Sequence, residues 1–198
     1  MQELLTRGIG HTSFKKTEIG EIPETWKVCK LFEIGEVSKS HGGSKKDSIE
    51  MGFPCVRYGE LYTTHRTFIK QFTSYISESS RNSYTRIQLG DVLFAGSGET
   101  HEEIGMAATL LRDIEAYAGG DIILFRPSAS VSYHYLGHVV NSPVVNLQKS
   151  RFGQGSSVIH LYAYQVEQLK IPIPHWMSRG KLQQYSAVLI IRLNLTKP

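Results

Sequence analysis

Side chains capable of metal or nucleophilic chemistry occur in two small groups. His134 and His138 are four residues apart, a spacing that places both imidazoles on one face of a helix, but no third ligand accompanies them. Glu99, Glu102 and Glu103 could coordinate Mg²⁺, yet no P-D…E-x-K nuclease motif is present. Serine, histidine and aspartate occur without a G-x-S-x-G elbow. We therefore expect packing and surface roles for the histidines, and no metal.

A glycine-containing segment, L-G-D-V-L-F-A-G-S-G-E-T, runs from Leu89 to Thr100. Its part Phe94–Gly98 looks like the loop with which amino-methyltransferases hold S-adenosylmethionine. Such an enzyme also needs a D-P-P-Y or N-P-P-F segment to grip a flipped-out base, and the sequence has none. Two other interpretations stay open. The segment is either a tight turn whose glycines serve the backbone or a loop that faces DNA.

Two polar, basic segments are candidates for contact with a phosphate backbone. The first, from Lys39 to Lys46, has three lysines, one histidine and two glycines. The second, around R-F-G-Q-G-S-S, contains Lys149, Arg151 and Gln154. Flexible basic loops can follow phosphates with little geometric demand. An ordinary solvated loop and a plain helix-to-strand turn are the alternatives.

Arg57 lies in F-P-C-V-R-Y-G-E-L-Y, between Phe53 and Tyr62. Its planar guanidinium suits a phosphate or a guanine edge, and it equally suits a bracing pair with a nearby carboxylate. The following polar stretch, Thr63 to Arg66, is a more plausible place for reading a DNA sequence.

Composition indicates a globular protein of one domain with appendages. The 198 residues are 40% hydrophobic and 20% charged, and the net charge of +4 suits an anionic partner without requiring one. Cys29 and Cys55 are far apart and lack C-x-x-C spacing, which predicts reduced thiols and a cytoplasmic location. No run approaches the ~20 apolar residues needed to span a bilayer, and the N-terminus lacks a signal peptide's apolar core.

The patterning predicts an α+β domain of many short strands rather than a doubly wound sheet. A strand and a short helix are expected within Trp26 to Glu36, and a serine-capped helix from Ser77 to Tyr84. Two further helices are expected at Tyr133 to Asn141 and at Val145 to Phe152. Strands are predicted at 53–58, 67–72, 92–95, 106–111, 116–118, 121–125, 158–161 and 169–173.

The N-terminal residues carry a long family resemblance. L-L-T-R-G-I-G-H-T-S-F-K, followed by T-E-I-G-E-I-P-E-T-W, resembles the end of a spacer helix and the entrance of a recognition domain in specificity subunits of type I restriction-modification enzymes. The Leu89–Thr100 segment is similar to that family's L-x-x-G-D-[IVL]-L motif. The Arg57 segment resembles its P-[FY]-[LVI]-R-x-x-[DN]-[IVL] motif, with Glu60 where aspartate is usual.

The tail after Pro174 departs from this pattern. Residues 175–198 have neither the polarity of a linker nor a helical period. Reading one base earlier forces Leu and then Asp from the codons of His175 to Met177, and synonymous choices permit a continuing amphipathic helix. The result resembles the family's I-P-x-P-P-L-x-E-Q entry into a spacer helix. We therefore expect a frameshift after Pro174, with residues 1–14 forming the end of one spacer helix (residues 1–6) and a linker, 15–174 the recognition domain, and 175–198 an out-of-frame tail.

The resemblance implies a non-catalytic target-recognition domain that reads one half of a split site in double-stranded DNA. It implies no cofactor on this chain, because separate methyltransferase subunits bind S-adenosylmethionine and a motor subunit cuts. Docking to both subunits is expected to be impaired here. A non-DNA protein-interaction module is the remaining alternative. The DNA-contacting candidates are Lys39, His41, Lys45, Lys46, Arg57, Tyr58, His65, Arg66, Ser97, Lys149, Arg151, Gln154 and Ser156.

Overall fold

The structure, a computed structural model, describes residues 8, 10–43, 47–128 and 131–174. The strands are β1 Phe14–Thr17, β2 Gly20–Pro23, β3 Lys27–Lys30, β4 Gly35–Lys39, β5 Ser48–Ile49, β6 Phe53–Val56, β7 Phe68–Ile69, β8 Ser74–Ile76, β9 Thr85–Ile87, β10 Val92–Ala95, β11 Ser97–Gly98, β12 Ala107–Leu110, β13 Ala116–Ala118, β14 Ile122–Pro127, β15 Ile159–His160 and β16 Lys170–Ile173. The helices are α1 Glu60–Thr63, α2 Tyr133–Val139, α3 Pro143–Phe152 and α4 Ala163–Glu167, with 3₁₀ turns at Leu31–Glu33 and Arg81–Ser83. The α+β class predicted from the sequence is confirmed.

A five-stranded sheet in the order β4-β14-β10-β12-β7 lies at the centre of the domain. Its middle strand β10 is buried along its whole length, because both faces of the sheet are covered. Val92 and Phe94 point into one apolar cluster with α2, α3 and α4, as expected for alternating side chains. Leu93 and Ala95 point into a second cluster on the opposite face.

A second five-stranded sheet, in the order β5-β8-β6-β13-β9, covers that opposite face. Val56, Ile87 and Ala118 of this sheet join Leu93 and Ala95 in the shared cluster. Small two-stranded pairs, β1-β2, β11-β15 and β16-β3, complete the described part of the domain. The central sheet is therefore sandwiched between helices on one side and a second sheet on the other.

The directions of the strands bring several loops to one end of the domain. β4 and β10 are both antiparallel to β14, so they run the same way, and Lys39 and Ala95 lie opposite adjacent residues of β14. In the second sheet β6 and β13 are parallel, with Val56 beside Ala118. The segments that follow these four strands therefore lie at the same end of the domain.

The helix predicted from Ser77 to Tyr84 is wrong. The chain leaves β8 at Ile76 through a turn and forms only the 3₁₀ turn Arg81–Ser83. The Ser77 hydroxyl is 2.9 Å from the hydroxyls of Ser79 and Ser80, and the side chain of Ser80 caps no backbone N–H. Because the serines bond to one another, they do not supply the N-terminal cap that the pattern suggested.

Candidate nucleic-acid interface

We use the name strand-end face for the surface formed by the segments after β4, β6, β10 and β13, namely 39–43, 57–59, 96–100 and 119–121. Hydrogen bonds tie these segments together. The Ser40 hydroxyl donates to the Gly119 carbonyl at 2.6 Å, and the Gly119 N–H donates to the Val56 carbonyl at 2.8 Å. The Gly96 N–H donates to the Asp121 carbonyl at 2.9 Å. The face is therefore one connected surface.

The glycine segment serves close backbone packing within this face. A Cβ on Gly96 would lie 2.9 Å from the Asp121 carboxylate and 3.0 Å from its carbonyl oxygen. A Cβ on Gly98 would lie 2.8 Å from the Tyr62 hydroxyl. The next strand, β11, pairs with β15 in antiparallel fashion rather than opening a parallel βαβ unit. This geometry favours the turn interpretation, and the segment still lines a cleft beside the strand-end face.

A cleft of about 610 Å³ lies along one side of β11. It contains three predicted DNA-contacting residues, Tyr58, Arg66 and Ser97. Its other lining residues are Gly59, Tyr62, Gly98, Glu99, Glu103, Met106 and Val158. The structure thus brings Arg66 near two carboxylates, so the cleft has mixed charge rather than a purely basic lining.

A smaller cleft of about 300 Å³ is lined by Gly96, which precedes β11, and by His160 of β15. Lys39 lines it together with Asp121, His160 and Tyr162. His160 pairs with Ser97 across β11 and β15, and the Ser97 hydroxyl lies 2.8 Å from the His160 Nδ1 atom. This side-chain pair therefore joins Ser97, which lines the larger cleft, to His160, which lines the smaller one.

Exposed aromatic side chains beside the smaller cleft were missed by the sequence analysis. Tyr162 and Tyr164 stack with ring centroids 5.9 Å apart and an interplanar angle of 11°. They are 44% and 58% exposed, and the His160 ring lies 6.4 Å from that of Tyr162. A sequence pattern could have revealed them. His160, Tyr162 and Tyr164 occupy every second position, and the apolar residue between the first two, Leu161, is buried.

Arg57 and His41 lie at the strand-end face. The Arg57 guanidinium donates to the Ser48 hydroxyl at 3.1 Å, so the predicted carboxylate brace is not what holds it. Glu60 accepts instead from the Arg57 backbone N–H at 2.9 Å and from the Thr73 hydroxyl at 2.6 Å. The exposed His41 has its Nδ1 atom 3.0 Å from the Thr85 hydroxyl.

Three predicted contact residues are buried and require correction: Ser97, which is 7% exposed, and two that are almost fully buried. Lys149 is only 1% exposed, and its ammonium donates to the Gly105 carbonyl at 2.7 Å. Burial lowers the pKa of Lys149 to about 7. His65 is also 1% exposed, and burial lowers the pKa of its imidazole despite Glu60 at 3.9 Å. Neither side chain is available to a phosphate or a base in this fold.

The remaining candidates have mixed positions. Arg151, Gln154 and Ser156 are exposed at and beyond the end of α3, where Gly155 has a φ of +128°. That left-handed backbone identifies the segment as a helix-to-strand turn whose polar residues face solvent. Lys45 and Lys46 lie outside the described residues, as do the predicted spacer-helix end at residues 1–6 and the tail from residue 175.

The histidine pair on α2 packs against an aromatic ring. Phe68 lies 5.7 Å from His134 and 5.1 Å from His138, measured between ring centroids. Burial lowers the pKa of both imidazoles. Within the described ranges no group of three His, Cys, Asp or Glu side chains could hold a metal ion. In the same part of the chain, no helix is long and apolar enough to cross a membrane.

A sandwiched central sheet with loops gathered at one end is a scaffold for binding, and comparison with known proteins identifies its class. Residues 23–184 match the family described as type I restriction modification DNA specificity domain, and the chain belongs to that family. It is 26% identical over 189 residues to the type I restriction enzyme MjaVIII specificity subunit of Methanocaldococcus jannaschii. It is 29% identical over 170 residues to the putative MjaX specificity subunit of the same organism.

These relatives are longer than this chain. The matches cover 88% and 82% of the chain but only 42% and 39% of the two curated relatives. Among solved structures, the fold is similar to a type I restriction-modification S subunit from M. genitalium, with a TM-score of 0.55, 9% identity, and coverage of 85% of this chain and 40% of that one. The HsdS subunit from Thermoanaerobacter tengcongensis gives a TM-score of 0.51 at 13% identity, covering 91% and 42%. The family resemblance noted in the sequence is confirmed.

Proposed function

We propose that this domain recognises one half of a bipartite duplex DNA site within a type I restriction-modification specificity subunit. The observation that carries the proposal is the family match over residues 23–184. The domain itself performs no chemistry and directs methyltransferase and endonuclease subunits to their site. A cytoplasmic location belongs to the same proposal, and the two free thiols, Cys29 and Cys55, are consistent with it.

The proposed DNA-contacting surface is the strand-end face together with the exposed end of α3 at Arg151, after which the chain turns into β15 beside β11. Lys39 ends β4 and His41 follows it, Arg57 and Tyr58 follow β6, and the cleft beside them contains Arg66. The long, mobile side chains of lysine and arginine suit phosphates, which position a protein on the duplex. Glu99 and Glu103, which line the same cleft, repel phosphates. We therefore expect the backbone to pass near Lys39 rather than through the larger cleft.

A salt titration of duplex binding tests this proposal. The intact chain should bind duplex DNA with a Kd on the order of 1 μM at low salt, and log affinity should fall linearly with log salt concentration because bound phosphates release counterions. Lys39→Glu and Arg151→Glu should each weaken binding to all sequences alike and lower the salt slope by about 1.

Lys16→Glu is the matched control for these charge reversals. Lys16 is exposed on β1, in the hairpin that β1 forms with β2, and is not part of the strand-end face. Its reversal changes net charge by the same amount and should leave the salt slope unchanged. Binding that is insensitive to salt, or equally weakened by all three reversals, would contradict the proposed surface.

Assembly with methyltransferase and endonuclease subunits is part of the proposed function of the complete enzyme. The resemblance assigns much of that docking to spacer helices. Docking by this chain is proposed to be impaired, on the ground of the codon pattern after Pro174. Co-purification with the methyltransferase subunit tests this point separately from DNA binding.

A further inference from the structure

His160 is an exposed side chain whose position the fold fixes from three directions. Its backbone exchanges two hydrogen bonds with Gln154, at 2.7 and 2.9 Å. On the opposite edge of β15, His160 pairs with Ser97 of β11. Its ring is oriented by the Ser97 hydroxyl, 2.8 Å from Nδ1. With Nδ1 engaged, Nε2 is the ring nitrogen available to a ligand.

Ser97 is held in place and does not itself reach solvent freely. The residue is 7% exposed, and its carbonyl oxygen accepts from the Tyr62 hydroxyl at 2.8 Å. The preceding Gly96 is bonded to Asp121 through its backbone. A duplex would therefore meet the His160 ring before it met the Ser97 hydroxyl, so Ser97 can act on DNA only through His160.

Two further exposed side chains, Tyr162 and Tyr164, follow His160 along the chain. Their stacked rings present apolar faces and hydroxyl groups at the surface, a combination that is enriched at binding interfaces. Lys39 lies in the same cleft as His160 and Tyr162 and supplies a positive charge beside the aromatic surface. A cationic group next to exposed rings and a fixed imidazole suits an anionic ligand that has both polar edges and apolar groups. Duplex DNA, with its phosphates, base edges and thymine methyls, is such a ligand.

We propose that His160 reads a base edge of duplex DNA through Nε2, with Tyr162 and Tyr164 as flanking contacts and Ser97 as a positioning residue. This inference rests on the proposed function and names the residues that determine specificity within it. A base edge is favoured over a phosphate because reading a base requires a hydrogen-bonding group held in one direction, which Ser97 and Gln154 provide. Phosphate contacts tolerate mobile side chains such as Lys39.

The test begins with selection of the best-bound duplexes from a random-sequence pool by the intact chain. Discrimination is then the ratio of affinities for one selected duplex and for its scrambled version. His160→Ala should reduce this ratio about 10-fold, and His160→Gln, which keeps a hydrogen-bonding group, should lose less. Tyr162→Ala should weaken binding to the selected duplex. His134→Ala is the matched histidine control and should leave the ratio unchanged.

Ser97 is tested by a double-mutant cycle. Ser97→Ala alone should lower discrimination by about 3-fold, and it should have no further effect in the His160→Ala background, because its only action is through the ring. A merely structural role would lower discrimination by the same factor in both backgrounds. Thermal unfolding of each variant shows that the compared proteins are folded.

Three results would overturn the inference. An equal loss of affinity for selected and scrambled duplexes in His160→Ala would make His160 a phosphate contact. Unchanged discrimination in His160→Ala and Tyr162→Ala would place reading elsewhere while leaving the proposed function intact. Failure of the unaltered chain to enrich any duplex would instead contradict the proposed function, and this inference with it.

Discussion

At the scale of single residues, Lys149 shows how a basic side chain can be unavailable to DNA. Its ammonium lies in the apolar interior, 5.9 Å from the centre of the Phe94 ring, with the Gly105 carbonyl as its acceptor. Reversing its charge would bury a carboxylate without a partner. Loss of DNA binding in such a variant would report unfolding. Lys39 and Arg151, which are exposed, are the informative positions.

Lys149 should make stability depend on pH in a predictable direction. Its pKa is about 7 in the folded chain and near its ordinary 10.5 in the unfolded chain. Between these values the unfolded state binds the extra proton, so the free energy of unfolding rises with pH. Relative to Lys149→Met, the unaltered chain should therefore gain stability from about pH 7 to about pH 10.5. Denaturant unfolding of both proteins across this range measures the difference.

A second lysine variant provides the control for that measurement. Lys16 is exposed, so Lys16→Met removes an ammonium from the surface instead of the interior and is compared across the same pH range. Other titrating groups are shared by all three proteins and cancel in the differences. A pH-independent difference for Lys149→Met would show that the ammonium is solvated in solution.

At the scale of elements, the turn from α3 to β15 places His160. Gly155 has a φ of +128°, and a Cβ at this position would collide with the Val158 carbonyl oxygen. The adjacent Gln154 makes the backbone bridge to His160. The turn therefore depends on glycine, and the position of the His160 ring depends on the turn.

Gly155→Ala should destabilise the domain by about 2 kcal/mol or more and lower DNA discrimination, because the turn cannot keep its conformation with a Cβ. For the stability measurement alone, Gly59→Ala is the matched control, since Gly59 has right-handed helical dihedrals and open space at its Cβ. Its unfolding midpoint should match that of the unaltered chain. Equal midpoints for the two variants would mean that the turn relaxes without cost.

At the scale of the whole molecule, the helices of the domain are short. Within residues 131–174 the longest helix is α3, with ten residues. Spacer helices that dock partner subunits, as the resemblance implies, need a longer repeating apolar seam. We therefore propose that assembly depends on residues other than those of the sandwiched sheets.

We predict that this chain forms no stable complex with a methyltransferase subunit of a type I enzyme. Inserting one base after codon 174 should open a frame encoding P-L-D-E-Q and an amphipathic helix, and should restore at least part of the docking. Co-expression and co-purification of both versions measure the difference, and both contain the same recognition domain. A stoichiometric complex with the unrepaired chain would place the docking surface within the domain, and a stop codon in the shifted frame would end the frameshift hypothesis.

The sequence by itself determined the family, the α+β class and most of the strands. Buried strands such as β10 are short apolar runs, which can be recognised in the sequence. The motifs at Arg57 and Leu89–Thr100 can also be recognised there, because a match of residue types does not depend on how those residues pack. The helix expected at Ser77 failed because serine side chains have local partners that compete with helix capping.

Only the tertiary structure decided which polar residues are accessible. Lys149 and Arg151 are neighbours in a basic segment, yet one is buried and the other exposed, because α3 turns its successive side chains in different directions. The pairing of Ser97 with His160 joins residues 63 positions apart. Such a contact depends on strand order and register, which the spacing of residues along the chain does not specify.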